Sequence, residues 1–186
     1  VDGGTLILSG VSNSYTGTTT IQGGSTLQAS SLGSTSGIIF VSGGGTLQAN
    51  ASLASSIPFT LTANGAINTN GNSFTLSGLF SGSGSLTKQG TGTLTLSNAG
   101  NNYTGATTVS GGTLTAGSTS AFGSNSAVTV AAGATLNLAG FNNTIASLAG
   151  NNNTTSSVTL GSASLTINNG TTQPFYGIIS GTGNLI

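Results

Sequence analysis

The chain reads as all-β: a right-handed parallel β-helix (β-solenoid) with about 20 residues per coil. Three observations predict this: short alternating aliphatic runs, regular Gly and Asn breaks between them, and internal repeats on two length scales. The runs come first. Leu94-Thr95-Leu96, Val128-Thr129-Val130, Leu136-Asn137-Leu138 and Leu165-Thr166-Ile167 each alternate apolar and polar residues. A period of two with one apolar face is the pattern of a half-buried strand. Gly23-Gly24, Gly43-Gly44-Gly45, Asn98-Ala99-Gly100-Asn101 and Gly111-Gly112 fill the breaks with residues that tolerate turn conformations. No long window carries helical spacing, and Gly recurs too often for a stable helix.

The repeats follow. "GGTLILSGVSNSYTGTTTIQGGSTLQAS" from Gly3 matches "TGTLTLSNAGNNYTGATTVSGGTLTAGS" from Thr91. Leu6, Leu8, Tyr15, Gly17, Ile21, Gly23 and Gly24 map onto Leu94, Leu96, Tyr103, Gly105, Val109, Gly111 and Gly112, all 88 residues on. Val41 and Leu47 meet Val130 and Leu136 at an offset of 89, and "GLFSGSGSLTK" from Gly78 meets "GIISGTGNLI" from Gly177 at 99. The chain is therefore expected to be one solenoid, 1–186, of two long repeats, 3–89 and 90–186, with an insertion around "NNGTTQPFY" in the second. A finer period places Leu6, Leu27, Leu47, Leu76, Leu94, Leu114, Leu136 and Leu165 at gaps of 21, 20, 29, 18, 20, 22 and 29. Gaps near 20 fit one coil, and about nine coils are expected. The two gaps of 29, holding weaker matches at Leu61 and Leu148, suggest an irregular coil. Parallel crossovers are right-handed in nearly all proteins, hence the predicted hand.

Composition excludes most chemistry. The chain has one acidic residue, Asp2, one basic residue, Lys88, and no His or Cys. Acid–base catalysis uses groups of those kinds, and abundant Ser and Thr need a base before they become nucleophiles. Asp2 and Lys88 fall several coils apart on the solenoid reading. Metal sites want Cys, His or clustered carboxylates, and one Lys cannot supply the phosphate contacts of a nucleic-acid binder. No enzyme activity, catalytic residue, cofactor or metal is expected. No run approaches the ~20 apolar residues of a spanning helix. The absence of Cys gives no disulfide framework. Val1-Asp2-Gly3-Gly4 opens in mid-pattern rather than as a signal peptide, so the chain reads as a mature product or part of something longer.

The stretch Ser81 to Gly117, "SGSGSLTKQGTGTLTLSNAGNNYTGATTVSGGTLTAG", resembles the autotransporter-associated β-strand repeat of bacterial surface proteins. The matching features are Gly-x-Gly-x-Leu-x-Lys ending at Lys88, Gly92-Thr93-Leu94-Thr95-Leu96, Tyr103-Thr104-Gly105, Thr107-Thr108-Val109 and Gly111-Gly112-Thr113-Leu114. Gly3 to Ala29 matches too, without the Lys. The resemblance implies a right-handed β-helix, secreted through the outer membrane and displayed extracellularly on the bacterial cell surface. It transfers no catalytic residue. No membrane β-barrel pattern follows, so the anchoring domain is expected elsewhere.

Individual residues read mostly as structure. Lys88 is expected to be a solvated turn residue. Tyr15 and Tyr103 are expected to cover equivalent turns, with stacking on sugars as the functional alternative. Phe40, Phe59, Phe74, Phe80, Phe122, Phe141 and Phe175 read as core or corner fillers. Gly82-x-Gly84 and Gly181-x-Gly183 resemble phosphate loops, but no helix or Lys-Ser/Thr pair follows. Asn142-Asn143 and Asn151-Asn152-Asn153 read as turns with stacked amides. Sequons at Asn50, Asn102, Asn142, Asn152, Asn153 and Asn169 carry little weight in this composition. Leu6, Leu8, Leu27, Leu47, Leu76, Leu94, Leu96, Leu114, Leu136, Leu138, Leu165 and Ile167 should face one lumen, with Thr95, Thr115 and Thr166 outside.

Function then reads as a structural extracellular rod or fibre. "SGTGNLI" followed by "VDGGTLILSG" nearly regenerates the internal motif, so self-association end to end is expected, with residues equivalent to Val1–Ser9 forming the coil after Ile186. The alternative is an autotransporter passenger stalk acting as an adhesin on host or neighbouring cells. A third reading, ice or mineral binding through Thr-x-Thr pairs, meets an objection: Ile7, Gln28, Gln48, Ser77 and Asn137 occupy the outward site in other coils.

Overall fold

The computed structural model describes residues 1–10, 12–34, 36–123, 125–150, 154–168 and 174–186. The turn at 151–153, most of the expected insertion and the sequons at 152, 153 and 169 lie outside them.

Every regular element among the described residues is a strand, and all pairings between strands are parallel. The strands form three walls. The first wall stacks β1 (Thr5–Leu8), β3 (Thr26–Ala29), β5 (Gly45–Ala49), β8 (Gly65–Asn68), β11 (Leu86–Gln89), β13 (Thr107–Val109), β15 (Ala127–Val130) and β18 (Ser147–Gly150). The second stacks β6 (Leu53–Ser55), β9 (Ser73–Leu76), β12 (Thr93–Leu96), β14 (Thr113–Ala116), β16 (Thr135–Asn137), β19 (Ser157–Gly161) and β21 (Ile178–Gly181). The third holds β2 (Thr19–Ile21), β4 (Ile38–Phe40), β7 (Phe59–Leu61) and β10 (Phe80–Ser81), and resumes further along with β17 (Asn143–Ile145) and β20 (Leu165–Ile167). In the regular coils the chain passes from first wall to second to third and back. Eight rungs at about 4.8 Å make the first wall about 34 Å tall.

Register fixes the coil length. Leu6, Leu27, Leu47, Ile67, Lys88, Val109, Val130 and Gly150 stand opposite one another down the first wall, at steps of 20 or 21 residues. One column thus faces the lumen because each strand alternates with a period of two. Burying an aliphatic side chain contributes about 1.5–3 kcal/mol, and the column repeats that gain at every rung. Leu27, Leu47, Leu76, Leu94, Leu96, Leu114, Leu136, Leu138 and Leu165 are fully buried. Thr95, Thr115 and Thr166 alternate with them on the outer side and are half-buried.

Some expectations need correction. Leu6 shares the lumen register yet is 46% exposed, and Leu8 and Ile167 are only partly buried. Among the described residues the second wall begins only at β6, so no strand there covers β1 in the first coil. The gaps of 29 mark no irregular coil. They arise where the leucine motif changes wall. Leu47 pairs with Ile67 one coil on, and Leu76 lies on the next wall of that coil. Likewise Leu136 pairs with Val158, and Leu165 lies on the wall after it. Phe40, Phe59, Phe74, Phe80 and Phe122 fill the core as expected, whereas Phe141 is exposed.

Candidate functional site

The most connected polar groups of the interior form three clusters, with Ser25, Thr69, Ser147 and Ser156 buried outside them. The first is Lys88. It replaces an aliphatic residue in the inward column of the first wall and is fully buried rather than solvated. Its position is strand, not turn, because it lies in register between Ile67 and Val109. The ammonium folds back to the corner and donates to Gln89 O (2.9 Å), Gly90 O (2.8 Å) and Gly111 O (3.0 Å). Three donors meet three acceptors, one of them on the next coil, so the side chain cross-links adjacent corners. Burial pushes the ammonium down to about 8. Asp2 bridges to Gln22 in the first coil, four rungs from Lys88, so the two charged side chains never meet.

The second cluster surrounds Tyr103. Its ring is fully buried and packs edge-on against Phe80 (6.4 Å), which stacks on Phe59 (4.6 Å, 7° between planes). Its hydroxyl bonds Thr107 Oγ1 (2.7 Å); Thr107 bonds Ser126 Oγ (2.7 Å), which donates to Gly105 O (2.8 Å). Burial raises the phenol above its usual value. Tyr15 repeats the contact with Thr19 Oγ1 (2.9 Å) but is 39% exposed in the uncovered first coil. The pair therefore shares a local role, a tyrosine hydroxyl bonded to the threonine four residues on. Tyr103 has no face left for a sugar.

The third cluster was not legible as such in the sequence. Between β10 and β17 the described residues form no third-wall strand, and two asparagines carry its ladder across. Asn101 Oδ1 accepts Phe80 N–H (2.9 Å) while its Nδ2 donates to Ala121 O (2.9 Å). Asn143 Oδ1 then accepts Ala121 N–H (2.8 Å), and its Nδ2 donates to Ser118 O (3.1 Å) and Phe141 O (3.0 Å). The side-chain amide carries the same donor and acceptor as a peptide group. The usable signal was the spacing: Asn101 and Asn143 are 42 residues apart, two coil lengths. The amides at Asn143 do take part in a ladder, but a coil contributing backbone only is interleaved.

The glycine pairs are corners. A Cβ on Gly84 would overlap Ala63 O, and one on Gly183 would overlap Ala163 O. Gly84 N–H donates to Leu61 O (2.7 Å) and Gly183 N–H to Gly161 O (2.9 Å), one coil back in each case. The Gly-x-Gly motif thus lets a corner lie flush on the coil before it.

The long repeat has an unexpected geometry. Four rungs carry the first-wall column from Leu6 to Lys88, and Leu94 lies six residues further, on the second wall. Ile21 on the third wall corresponds to Val109 on the first, and Leu47 on the first to Leu136 on the second. Equivalent motifs are thus displaced by four coils and one wall. At the offset of 99, Phe80 on the third wall corresponds to Ile179 on the second, two walls on.

These motifs have relatives. The family model of the passenger-associated-transport-repeat matches residues 1–29 and 86–116, which are the two copies just described. The Adhesin BmaC autotransporter of Brucella suis biovar 1 (strain 1330) is 40% identical over 115 residues, covering 60% of this chain. The chain spans about 3% of that protein's length. No solved structure matches. The chain is thus a parallel solenoid of ~21-residue coils that carries, one wall apart, two copies similar to the repeat of autotransporter passengers.

Proposed function

We propose that this chain is a stretch of the surface-displayed passenger of a bacterial autotransporter, a non-enzymatic solenoid stalk, and that the protein containing it is an adhesin. The observation that carries the reading is the match of both repeat copies to the passenger repeat, together with the similarity to an autotransporter named as an adhesin. The interior supports it: Lys88, Tyr103, Asn101 and Asn143 spend their polar groups on contacts within and between neighbouring coils, and each coil stabilises only its neighbours. Such a rod sets distance rather than performing a reaction. The test is made in cells expressing the whole protein. An antibody to the 92–117 repeat should label intact cells, and deletion of residues 1–186 should preserve export while reducing attachment to host cells. Labelling confined to lysed cells would refute surface display; unchanged attachment would refute the adhesive role.

A second reading, end-to-end stacking of copies, is favoured by wall phase. Leu185 bridges to Leu165 on the third wall, and the path from there leads to the first wall, where β1 sits. Leu6 of a following copy would come seven residues after Leu185, against eight between Leu86 and Leu94 inside the chain. Electron microscopy of native material distinguishes the readings: long unbranched rods support stacking, and short monodisperse particles exclude it.

A further inference from the structure

Along the second wall, from β9 to β19, five strands pair in unbroken register. In the paired register each presents two outward positions, every one of them Ser or Thr except Asn137, and Gly161 adds a third outward position at the end of β19. The centre is the block Thr93, Thr95, Thr113 and Thr115, flanked by Thr75. Strand geometry spaces these side chains about 4.8 Å apart between rungs and about 6.6 Å apart along each strand. Threonine is stiff about χ1, so methyl and hydroxyl hold fixed directions on a packed strand. The hydroxyls of Thr75, Thr93, Thr95, Thr113 and Thr115 have no hydrogen-bond partner among the described residues, unlike Thr107 and Ser126 in the lumen. Among the described residues no strand packs over this wall.

We infer that the second wall is a binding face for ice. An uncharged lattice gains nothing from an ionic partner, and the outward positions carry no aromatic ring on which a soluble sugar would stack. The array offers hydroxyls and methyls on a regular grid in unbroken register, a pattern suited to ordering a first layer of water. Water-mediated hydrogen bonds are nearly as favourable as direct ones, and a rigid wall presents all of them at once, so many weak contacts act together. The complementary partner is an extended uncharged surface of hydroxyl groups at spacings of a few ångströms, the surface of crystalline water. The objection read from the sequence falls away with the fold. Ile7, Gln28 and Gln48 stand on the first wall and Ser77 lies beyond the end of β9, so of those five residues Asn137 alone interrupts the paired register of the second wall. This inference stands on the wall itself and is independent of the adhesin reading.

The experiment measures thermal hysteresis, ice-crystal shape and ice recrystallisation for the full chain, for T95K/T115K, and for T87K/T108K on the first wall. The wild type and T87K/T108K should arrest and facet ice crystals, and T95K/T115K should lose both effects while its circular dichroism remains that of the wild type. If the lysine pair fails to fold, T95Q/T115Q breaks the grid without adding charge and should show the same loss. A folded wild type with no effect on ice, or equal activity in the second-wall variants, overturns the inference. So does a result in which those variants lose binding to crystalline cellulose while the wild type leaves ice unaffected.

Discussion

Replacing Asn101 isolates what the side-chain amide does for the wall. Asn101 is 3% exposed, and it satisfies Phe80 N–H and Ala121 O on opposite sides. Asn101→Leu keeps the approximate volume but leaves both backbone groups without that partner. An unsatisfied buried polar group costs about 1–3 kcal/mol, so the variant should lose about 4 kcal/mol in guanidinium unfolding. Asn101→Asp sharpens the argument. One carboxylate oxygen still accepts Phe80 N–H, but the other replaces a donor facing Ala121 O. Burial and this repulsion raise the carboxyl's folded pKa above its unfolded value near 3.9. The native state of the variant therefore binds a proton more readily than the unfolded chain. Its penalty should be complete above the folded pKa and fade as pH falls toward about 4, where the neutral acid donates to Ala121 O. The measurement is unfolding free energy at pH 7 and pH 4 for wild type and both variants. A loss of under about 1 kcal/mol for Asn101→Leu, or no recovery of Asn101→Asp in acid relative to wild type, would refute the ladder.

Three further outcomes follow from named contacts. Lys88 titrates near 8 in the fold against about 10.5 unfolded, so its burial penalty is full below pH 8 and is relieved as pH rises from there; wild-type stability should increase between pH 7 and 9.5, and Lys88→Met should abolish that slope. Above pH 10 the trend should reverse, because Tyr103 is held protonated in the fold while the unfolded phenol ionises; Tyr103→Phe should remove the reversal at the expense of its bond to Thr107. Phe80→Ala removes a fully buried ring stacked on Phe59 and should cost about 3–5 kcal/mol by denaturant titration, whereas Phe141→Ala on the surface should cost almost nothing.

Strand positions were legible because alternation with a period of two is a local property, and Leu94, Leu114 and Leu136 declare it within three residues each. Wall assignment was not legible, because Leu47 and Leu76 carry the same local pattern on different walls. Only pairing between coils distinguishes them, and pairing is non-local. Lys88 was misread for a related reason: a charge followed by Gln89-Gly90 looks like a turn, and nothing local reveals that three carbonyls wait at the corner to receive the ammonium. Asn101 closes a Gly-containing break and reads as a turn residue; its bridging role exists only once Phe80 and Ala121 lie on either side. Residue types alone left few groups for ordinary catalysis, but they could not show that the Thr-x-Thr pairs share a wall.

The displacement of the long repeat by one wall means that inheritance and architecture run on different clocks. A duplication of about 88 residues adds four coils and a third, so the copied strands fold on a wall their ancestors did not occupy. The three walls are interchangeable for such a segment, since each asks only for a short alternating strand and a glycine corner. Were further copies to follow at the same offset, a residue at a fixed motif position would wind around the rod and return to its starting wall after three copies, or thirteen coils, about 62 Å along the axis at about 4.8 Å per coil. Any adhesive side chain placed at such a position would be presented in every direction around the rod from one inherited residue.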